Sequence, residues 1–156
     1  MKPQDFPDFS AGELARNELW NHSIPAVLTS VVGRTIRLGI AGWGTLEWFI
    51  VEVAPEWFRA TAHGDVEFVA QTARVDWLEV DVRSPSEPPD SVAPRFRGVL
   101  AEIGRRRSLV RLMLDSSDFT GRVHHVGADY LELTRETGEP IVIALCSIGW
   151  VEFLPD

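Results

Sequence analysis

The chain has 156 residues, a formal net charge of −8 and 45% hydrophobic residues, which fit a soluble globular protein of one domain or two small ones. No apolar run approaches the length of a membrane span, and the polar, proline-punctuated start MKPQDFPDFS lacks the pattern of a secretory signal. The single cysteine, Cys146, rules out an internal disulfide and a thiolate metal cluster, and it fits a reducing compartment. We therefore expect a cytoplasmic protein.

Residues 1–22 are predicted to form a loose tail and a short helix. Ser10 and Glu13 have the spacing of a capping box, and Leu14, Leu19 and Trp20 would give the following helix its apolar side. This helix either covers an opening or edge of the β-rich fold that follows, or recruits a partner.

Residues 23–83 begin with helix punctuation and continue with strand periodicity. Pro25 and Gly33 stand where proline opens a helix and glycine ends one. The glycine-rich loop 41–44 has no lysine after it and opens no helix, so a turn carrying Trp43 is favoured over a phosphate cradle. Apolar residues then alternate in two patterns, Ile36-x-Leu38-x-Ile40 and Leu46-x-Trp48-x-Ile50-x-x-Val53.

Residues 84–94, SPSEPPDSVAP, are predicted to be a linker. Four prolines within this short segment resist both helix formation and strand pairing, and they favour an extended spacer. The boundary between two domains is therefore placed here.

Residues 95–156 repeat the pattern of a helix followed by short strands. Pro94 and Gly104 punctuate the helix, and the alternation from Phe119 is interrupted by one extra residue, which predicts a bulge near His124 and His125. Short strands joined by tight turns favour a small antiparallel barrel or sandwich. The further strand patterns are Val110-x-Leu112-x-Leu114, Tyr130 to Leu133, Ile141 to Leu145 and Ile148 to Phe153.

A shift of 73 residues aligns the two β-rich regions without a gap. We interpret the chain as a helix plus five strands, present twice; chance similarity of two β-rich halves is the alternative, and a single continuous sheet would argue against two separate units. The aligned pairs are Val53 with Val126, Trp57 with Tyr130, Val69 with Val142, Val75 with Ile148, Trp77 with Trp150, and Glu79 with Glu152.

The spacing Phe119-x-Gly121-x-Val123-x-x-Val126-Gly127, followed by Leu131-x-Leu133, resembles the first motif of the Sm/LSm family, to which bacterial Hfq belongs, and Ile143 through Ile148 to Val151 resembles the second. The resemblance covers roughly residues 94–154. The segment from VGADYLEL to IVIALCSIGWVEF also resembles small actinobacterial proteins.

The resemblance implies a short helix followed by five strongly bent antiparallel strands that close into an open barrel. We therefore predict a mainly β protein of two tandem Sm-like barrels, at 23–83 and 95–156, each preceded by a short helix. Barrels of this family join edge to edge into rings, so a homo-oligomer is expected, with three chains making a ring of six barrels. The small residue of the bending strand is Gly121 in the second copy but Trp48 in the first, which predicts a distorted or partial first barrel.

The resemblance also indicates where the family's RNA-binding groups would lie. The acidic position falls on Gly127 and on Ala54, and the basic pair falls near Leu145–Cys146 and near Thr72–Ala73. Neither half keeps these groups, so the resemblance supports the fold and argues against the usual RNA pocket.

One basic segment stands in an otherwise acidic chain. Arginine suits phosphate through its planar fork of donors, but an acidic body repels nucleic acid. The segment is therefore a solvated surface, a partner for acidic residues of a neighbouring subunit, or an RNA-binding site. Its arginines are Arg95, Arg97, Arg105, Arg106, Arg107 and Arg111.

No set of residues predicts catalysis. His124 and His125 are adjacent on a strand and would share a metal only across a bulge, and Cys146 has no base partner nearby in sequence. Asp115 and Asp118 have the pattern of a turn. We expect a non-enzymatic assembly or protein-interaction module without a metal or cofactor; RNA binding through the basic segment is the alternative, and an enzyme using Cys146 and a histidine is a third possibility.

Overall fold

The computed structural model describes residues 23–80, 89 and 92–156. Within these ranges the protein is mainly β, with ten antiparallel strands in one sheet and two α-helices. The predicted tail and helix of residues 1–22 lie outside the described residues, as does most of the predicted linker.

The first half, residues 23–80, begins with a helix that proline and serine define. Ser23 caps the helix by accepting a hydrogen bond from the Ala26 amide at 3.4 Å, and Pro25 lies in the first turn, where its missing amide proton has no cost. A single 3-10 turn, Thr72–Arg74, separates the last two strands. The elements are α1 (Ile24–Ser30), β1 (Thr35–Ile40), β2 (Trp43–Val53), β3 (Trp57–Ala62), β4 (Val66–Gln71) and β5 (Val75–Glu79).

The second half, residues 92–156, has the same elements in the same order. Its helix runs past Gly104, where the sequence predicted its end, because Arg107 rather than the glycine caps it: Arg107 adopts the left-handed conformation with φ 54° and donates its amide proton to the Gly104 carbonyl. A 3-10 turn, Leu145–Ser147, again precedes the last strand. The elements are α2 (Phe96–Arg106), β6 (Leu109–Met113), β7 (Asp118–Val126), β8 (Tyr130–Arg135), β9 (Pro140–Ala144) and β10 (Trp150–Phe153).

The strand order β5-β1-β2-β3-β4-β10-β6-β7-β8-β9 contains one five-strand pattern twice. In each half the fifth strand pairs with the first, so β5 lies beside β1 and β10 lies beside β6. The predicted helix plus five strands, present twice, is therefore confirmed in the described residues. Across residues 23–80 and 92–156 the sheet is continuous and is not closed, with β5 and β9 as its two edges, so the two separate barrels that the sequence predicts are not shown.

Both halves carry a bulge at the same place in the repeat. The pairing of β7 with β8 shifts between Val123 and His125, which leaves His124 as the extra residue, and this confirms the predicted bulge. The pairing of β2 with β3 shifts between Ile50 and Glu52, which leaves Val51 as the extra residue, 73 positions before His124. A strand bends at such a bulge, so both halves curve at equivalent points.

Two hydrophobic cores meet where β4 pairs with β10. Trp150 of the second half packs into the core cluster of the first half, 5.3 Å from the Trp48 ring. In the opposite direction, Trp57 and Val69 of the first half belong to the core cluster of the second. The two halves therefore share side chains across this contact. We call it the internal junction: β4, β10 and the residues of each half that form hydrogen bonds or ion pairs with the other half.

The bending strand of each half has a different interior residue. Trp48 is buried and stacks on Phe68 with ring centroids 4.5 Å apart. Gly121 has no room for a side chain, because an added Cβ would overlap the backbone carbonyl of Thr134. The first half nevertheless has all five strands, and the predicted distorted or partial first barrel stays a prediction.

Candidate functional site

The internal junction combines strand pairing with specific side-chain hydrogen bonds. Gln71 donates from Nε2 to the carbonyl oxygens of Leu145 and Ile148, at 2.9 and 2.7 Å. Arg74 donates to the Cys146 carbonyl at 2.8 Å and forms an ion pair with Asp115. These bonds hold the 3-10 turn of the second half against the first half.

The start of α2 is also fixed to the first half. The Phe96 amide donates to Glu56 Oε1 at 3.2 Å, and Trp57 Nε1 donates to the Pro94 carbonyl at 2.7 Å. The carboxylate of Glu56 lies near the helix N-terminus, where amide protons have no partner within the helix and favour negative charge. The helix is therefore part of the internal junction.

Residues that are buried at the internal junction have exposed equivalents elsewhere in the repeat. Equivalent strand residues are 73 positions apart in the sequence. The two helices are aligned instead by their N-cap residues, Ser23 and Arg95. Three of the exposed large hydrophobic residues of the described chain are such equivalents. The exposures are 40% for Trp77 against 4% for Trp150, 65% for Val142 against 4% for Val69, and 38% for Ile24 against 3% for Phe96.

No strand of the part of the chain that the structure describes pairs with the outer side of β9. The Arg135 amide donates to the Glu139 carbonyl at 3.0 Å, and the Leu145 amide donates to the Asp129 carbonyl at 2.9 Å. Hydrogen-bonded pairs alternate along an antiparallel ladder, so the amide and carbonyl of Val142 point away from β8. Strand β9 therefore presents both backbone donors and acceptors at the sheet edge.

The six arginines predicted as an RNA site do not gather on one surface. Arg95 lies 3.8 Å from Glu56, whereas Arg97 donates to the Gly127 carbonyl at 2.6 Å. Arg111 forms ion pairs with Asp118 and Glu152, both at 3.6 Å. These three side chains are engaged with the protein itself. Arg105, Arg106 and Arg107 remain together at the end of α2.

Glu102 binds two of the three arginines at the end of α2. It accepts a hydrogen bond from Arg105 at 2.9 Å and lies 3.3 Å from Arg106. The hydrogen bond from Arg105 and the charges of both guanidinium groups hold the pKa of the Glu102 carboxyl below its usual value. Glu102 thus stays ionised and offsets part of the positive charge.

A basic surface that the sequence analysis missed lies where α2 faces β7. Arg105 and Arg107 line a shallow groove with His124 and His125, and Arg122 joins Arg107 and His124 in an adjacent groove. Arg122 also donates to the Arg107 carbonyl and to Asp156. Arg122 lies outside the arginine-rich segment, so only the pairing of β6 with β7 brings it there.

The residues considered for catalysis do not form a site. Cys146 is exposed in the 3-10 turn, and the ring of His125 packs 6.0 Å from the ring of Tyr130. Among the described residues, no group of three or more histidine, cysteine, aspartate or glutamate side chains is arranged to hold a metal ion.

The positions that correspond to the family's RNA-binding groups carry no charged side chain, and three of them are buried or covered, whereas Ala73 and Cys146 are exposed. Ala54 is buried, and the Tyr130 ring covers Gly127, where a side chain would overlap it. Thr72 is buried and donates its hydroxyl to the Pro55 carbonyl at 2.9 Å. These loops therefore present little that a base or phosphate could bind.

The groove between the two halves beside α2 has a volume of about 1020 Å³. Its apolar wall includes Val53, Val99 and Phe153. Its arginines are already paired: Arg59 with Glu52 and Glu67, and Arg105 and Arg106 with Glu102. A substrate site needs convergent polar groups that are free to orient a ligand, and the arginines of this groove are not free.

No protein-family model matches the chain, and no curated protein matches it significantly. Neither of the two described helices has the length and apolar character that crossing a membrane requires.

Proposed function

We propose that this protein is a non-enzymatic assembly module made of two tandem Sm-like barrels, and that copies of it join edge to edge. The observation that carries the proposal is the pairing of β4 with β10, which joins two repeats through their sheet edges. Strand β9 is the equivalent of β4, and β5 is the equivalent of β10. Both β9 and β5 remain unpaired at the ends of the described sheet. Unpaired edges template further strand pairing unless they are blocked.

The repeated strand order supports the barrel part of the proposal. In each half the fifth strand pairs with the first and the second strand carries a bulge, an arrangement that would curl five strands around one core. A head-to-tail contact between copies closes into a ring if the rotation at each step allows it and otherwise extends as a filament. A ring of three chains contains six repeats.

Light scattering at micromolar concentration tests this function. The proposal expects a mass that rises with concentration towards that of three chains of 17.5 kDa. A strict monomer over the whole concentration range would overturn it.

The salt dependence of self-association follows from the charge of the chain. Each copy carries a net charge of −8, so copies repel one another at low ionic strength and salt screens the repulsion. We therefore expect assembly to strengthen between about 0.01 M and 0.15 M salt, over which the Debye length falls from about 30 Å to about 8 Å. Nucleic-acid binding has the opposite dependence, because it releases counterions.

RNA binding remains the second candidate, and the basic surface of α2 and β7 favours it. Arg105, Arg107, Arg122 and His124 line adjoining grooves, although the acidic chain opposes a polyanion. Filter binding across salt tests this: RNA binding requires affinity that falls steeply as salt rises and is lost when Arg105, Arg106 and Arg107 are changed together to Glu.

A variant of Glu102 sharpens the RNA test. Glu102→Gln removes the carboxylate that neutralises Arg105 and Arg106, so it should raise RNA affinity if these arginines bind phosphate. No RNA binding by either Glu102→Gln or the native chain at low salt would leave the assembly function alone.

A further inference from the structure

We infer that the partner of each free edge is a second copy of the chain, joined head to tail, with β9 of one copy paired to β5 of the next in the register of the internal junction. This inference rests on the proposed function and makes it specific. It fixes which strands meet, which residues lie opposite one another, and which loop receives the helix of the next copy.

The register follows from the repeat. The internal junction pairs Trp150 with Ala70, Val151 with Val69, and Glu152 with Phe68. The 73-residue shift carries each strand of this contact onto a free edge. The expected pairs between copies are therefore Trp77 with Ile143, Leu78 with Val142, and Glu79 with Ile141.

The backbone of β9 has the same alternation as that of β4 at the internal junction. At the internal junction the Gln71 amide donates to the Gly149 carbonyl at 3.0 Å. Alternation from that bond makes Val69 and Val151 a hydrogen-bonded pair. Val142 is the equivalent of Val69, and its amide and carbonyl already point away from β8, so an incoming Leu78 would meet them without any change in β9.

The side chains on the free edges also match the junction. Val142 and Trp77 are the equivalents of Val69 and Trp150, each of which packs into the core of the opposite half. In the contact between copies, Val142 would be covered by β5 of the next copy, and Trp77 by the edge of the preceding one. Large apolar groups at an exposed edge favour association because pairing removes them from water.

The helix contact has an equivalent too. Glu56 accepts from the first amide of α2 at the internal junction, and its equivalent 73 residues later is Asp129, which is exposed beside β8. The equivalent helix start is Ile24, itself exposed. The inferred contact therefore places Asp129 of one copy beside Ile24 of the next.

The contact between copies lacks part of what holds the internal junction. The equivalents of Gln71 and Arg74 are Ala144 and Ser147, which cannot supply the bonds that the longer side chains donate to the facing 3-10 turn. Each such bond contributes modestly to stability. The contact between copies should therefore be the weaker one and should dissociate on dilution.

Cross-linking between two different copies tests the inference. In a Cys146→Ser background, one preparation carries Val142→Cys and the other carries Leu78→Cys. A hydrogen-bonded antiparallel pair places Cα atoms about 5.5 Å apart, within the range of a disulfide. We expect mild oxidation to give a disulfide-linked dimer in the mixture and almost none in either preparation alone. Phe49→Cys, also exposed but on β2 and away from both edges, replaces Val142→Cys as the control and should not cross-link.

The outcomes separate the inference from the proposed function. A cross-link in the Val142→Cys preparation alone would show β9 pairing with itself, which overturns the head-to-tail contact but keeps assembly. An oligomer by light scattering without a cross-link in the mixture also overturns the inference alone. A monomer of the native chain overturns both.

A second variant avoids dependence on Leu78, which is half-buried. Val142→Lys changes an exposed side chain, so the monomer should fold normally, but the charge would be buried by a second copy. We expect a monomer with the melting temperature of the dissociated native chain, while Phe49→Lys still assembles. Assembly of Val142→Lys equal to that of the native chain would overturn the inference.

Discussion

The two halves repeat one strand order but fill the same position in opposite ways. In the first half Trp48 occupies the interior and contacts the rings of Phe68 and Trp150. In the second half Gly121 stands at the equivalent position and β8 comes close enough to exclude any side chain. The order of pairing and the bulge are therefore preserved while the packing differs, which shows that this topology does not depend on one interior residue.

The largest expected effect is that of removing the tryptophan. Trp48→Ala should lower the free energy of unfolding by about 3–5 kcal/mol, because it leaves a cavity against Phe68 and against Trp150 of the other half. Urea denaturation measures the change. The neighbouring Phe49→Ala, on the exposed face of the same strand, is the control and should lie within about 0.5 kcal/mol. Equal effects of the two substitutions would contradict the contrast between the faces.

Adding a methyl group to the other half tests the opposite side of the comparison. Gly121→Ala should cost about 1–3 kcal/mol, because the new Cβ meets the backbone carbonyl of Thr134, which cannot move without shifting β8. Gly44→Ala is the matched control, since an added Cβ there meets nothing within 4 Å. A Gly121→Ala protein as stable as Gly44→Ala in urea would show that β8 is not held close to β7.

The next prediction compares the internal junction with the free edge. Val69→Ala removes buried apolar volume shared with the second core and should lower the free energy of unfolding by about 1.5 kcal/mol. Val142→Ala, its equivalent, should change the stability of the monomer by less than about 0.5 kcal/mol. Both are measured in urea below the concentration at which copies associate. A similar loss in both variants would mean that Val142 is already covered within one chain.

The smallest effect is expected at Gln71. Gln71→Ala removes two hydrogen bonds to the facing 3-10 turn and should cost about 1 kcal/mol. Ala144→Gln is the matched variant on β9; it should leave the monomer unchanged and strengthen association, because it restores the donor that the free edge lacks. Light scattering of Ala144→Gln at several dilutions checks the second part, and weaker association would count against equivalence of the two edges.

Local sequence signals predicted the elements well. Proline marked the start of both helices, whereas Gly104 did not mark the end of α2, which continues to Arg106. The one-residue interruption after Val123 marked the bulge. These signals work because they act within a few residues of the chain. The 73-residue shift likewise aligned Trp77 with Trp150, although sequence alone did not indicate that one is exposed and the other buried.

The parts that were not predicted depend on which distant strands meet. Nothing local indicates that Gln71 bonds to the turn of the other half, or that β4 and β10 merge the strands into one sheet. The six arginines are close together in sequence, but Arg97 lies in the first turn of α2 and Arg111 lies on β6. Arg122, from β7, lines a groove with Arg107 instead. The predictions for residues 1–22 and for the domain boundary at 84–94 stay predictions.

Hydrogen exchange of the β9 amides at two protein concentrations tests the pairing of free edges most directly. The amides of Ile141 and Ile143 point towards β8 and serve as controls within the strand, protected at every concentration. We predict that the Val142 amide exchanges freely in dilute protein and becomes protected at high concentration. A Val142 amide that exchanges freely at all concentrations, beside protected Ile141 and Ile143, would contradict the account.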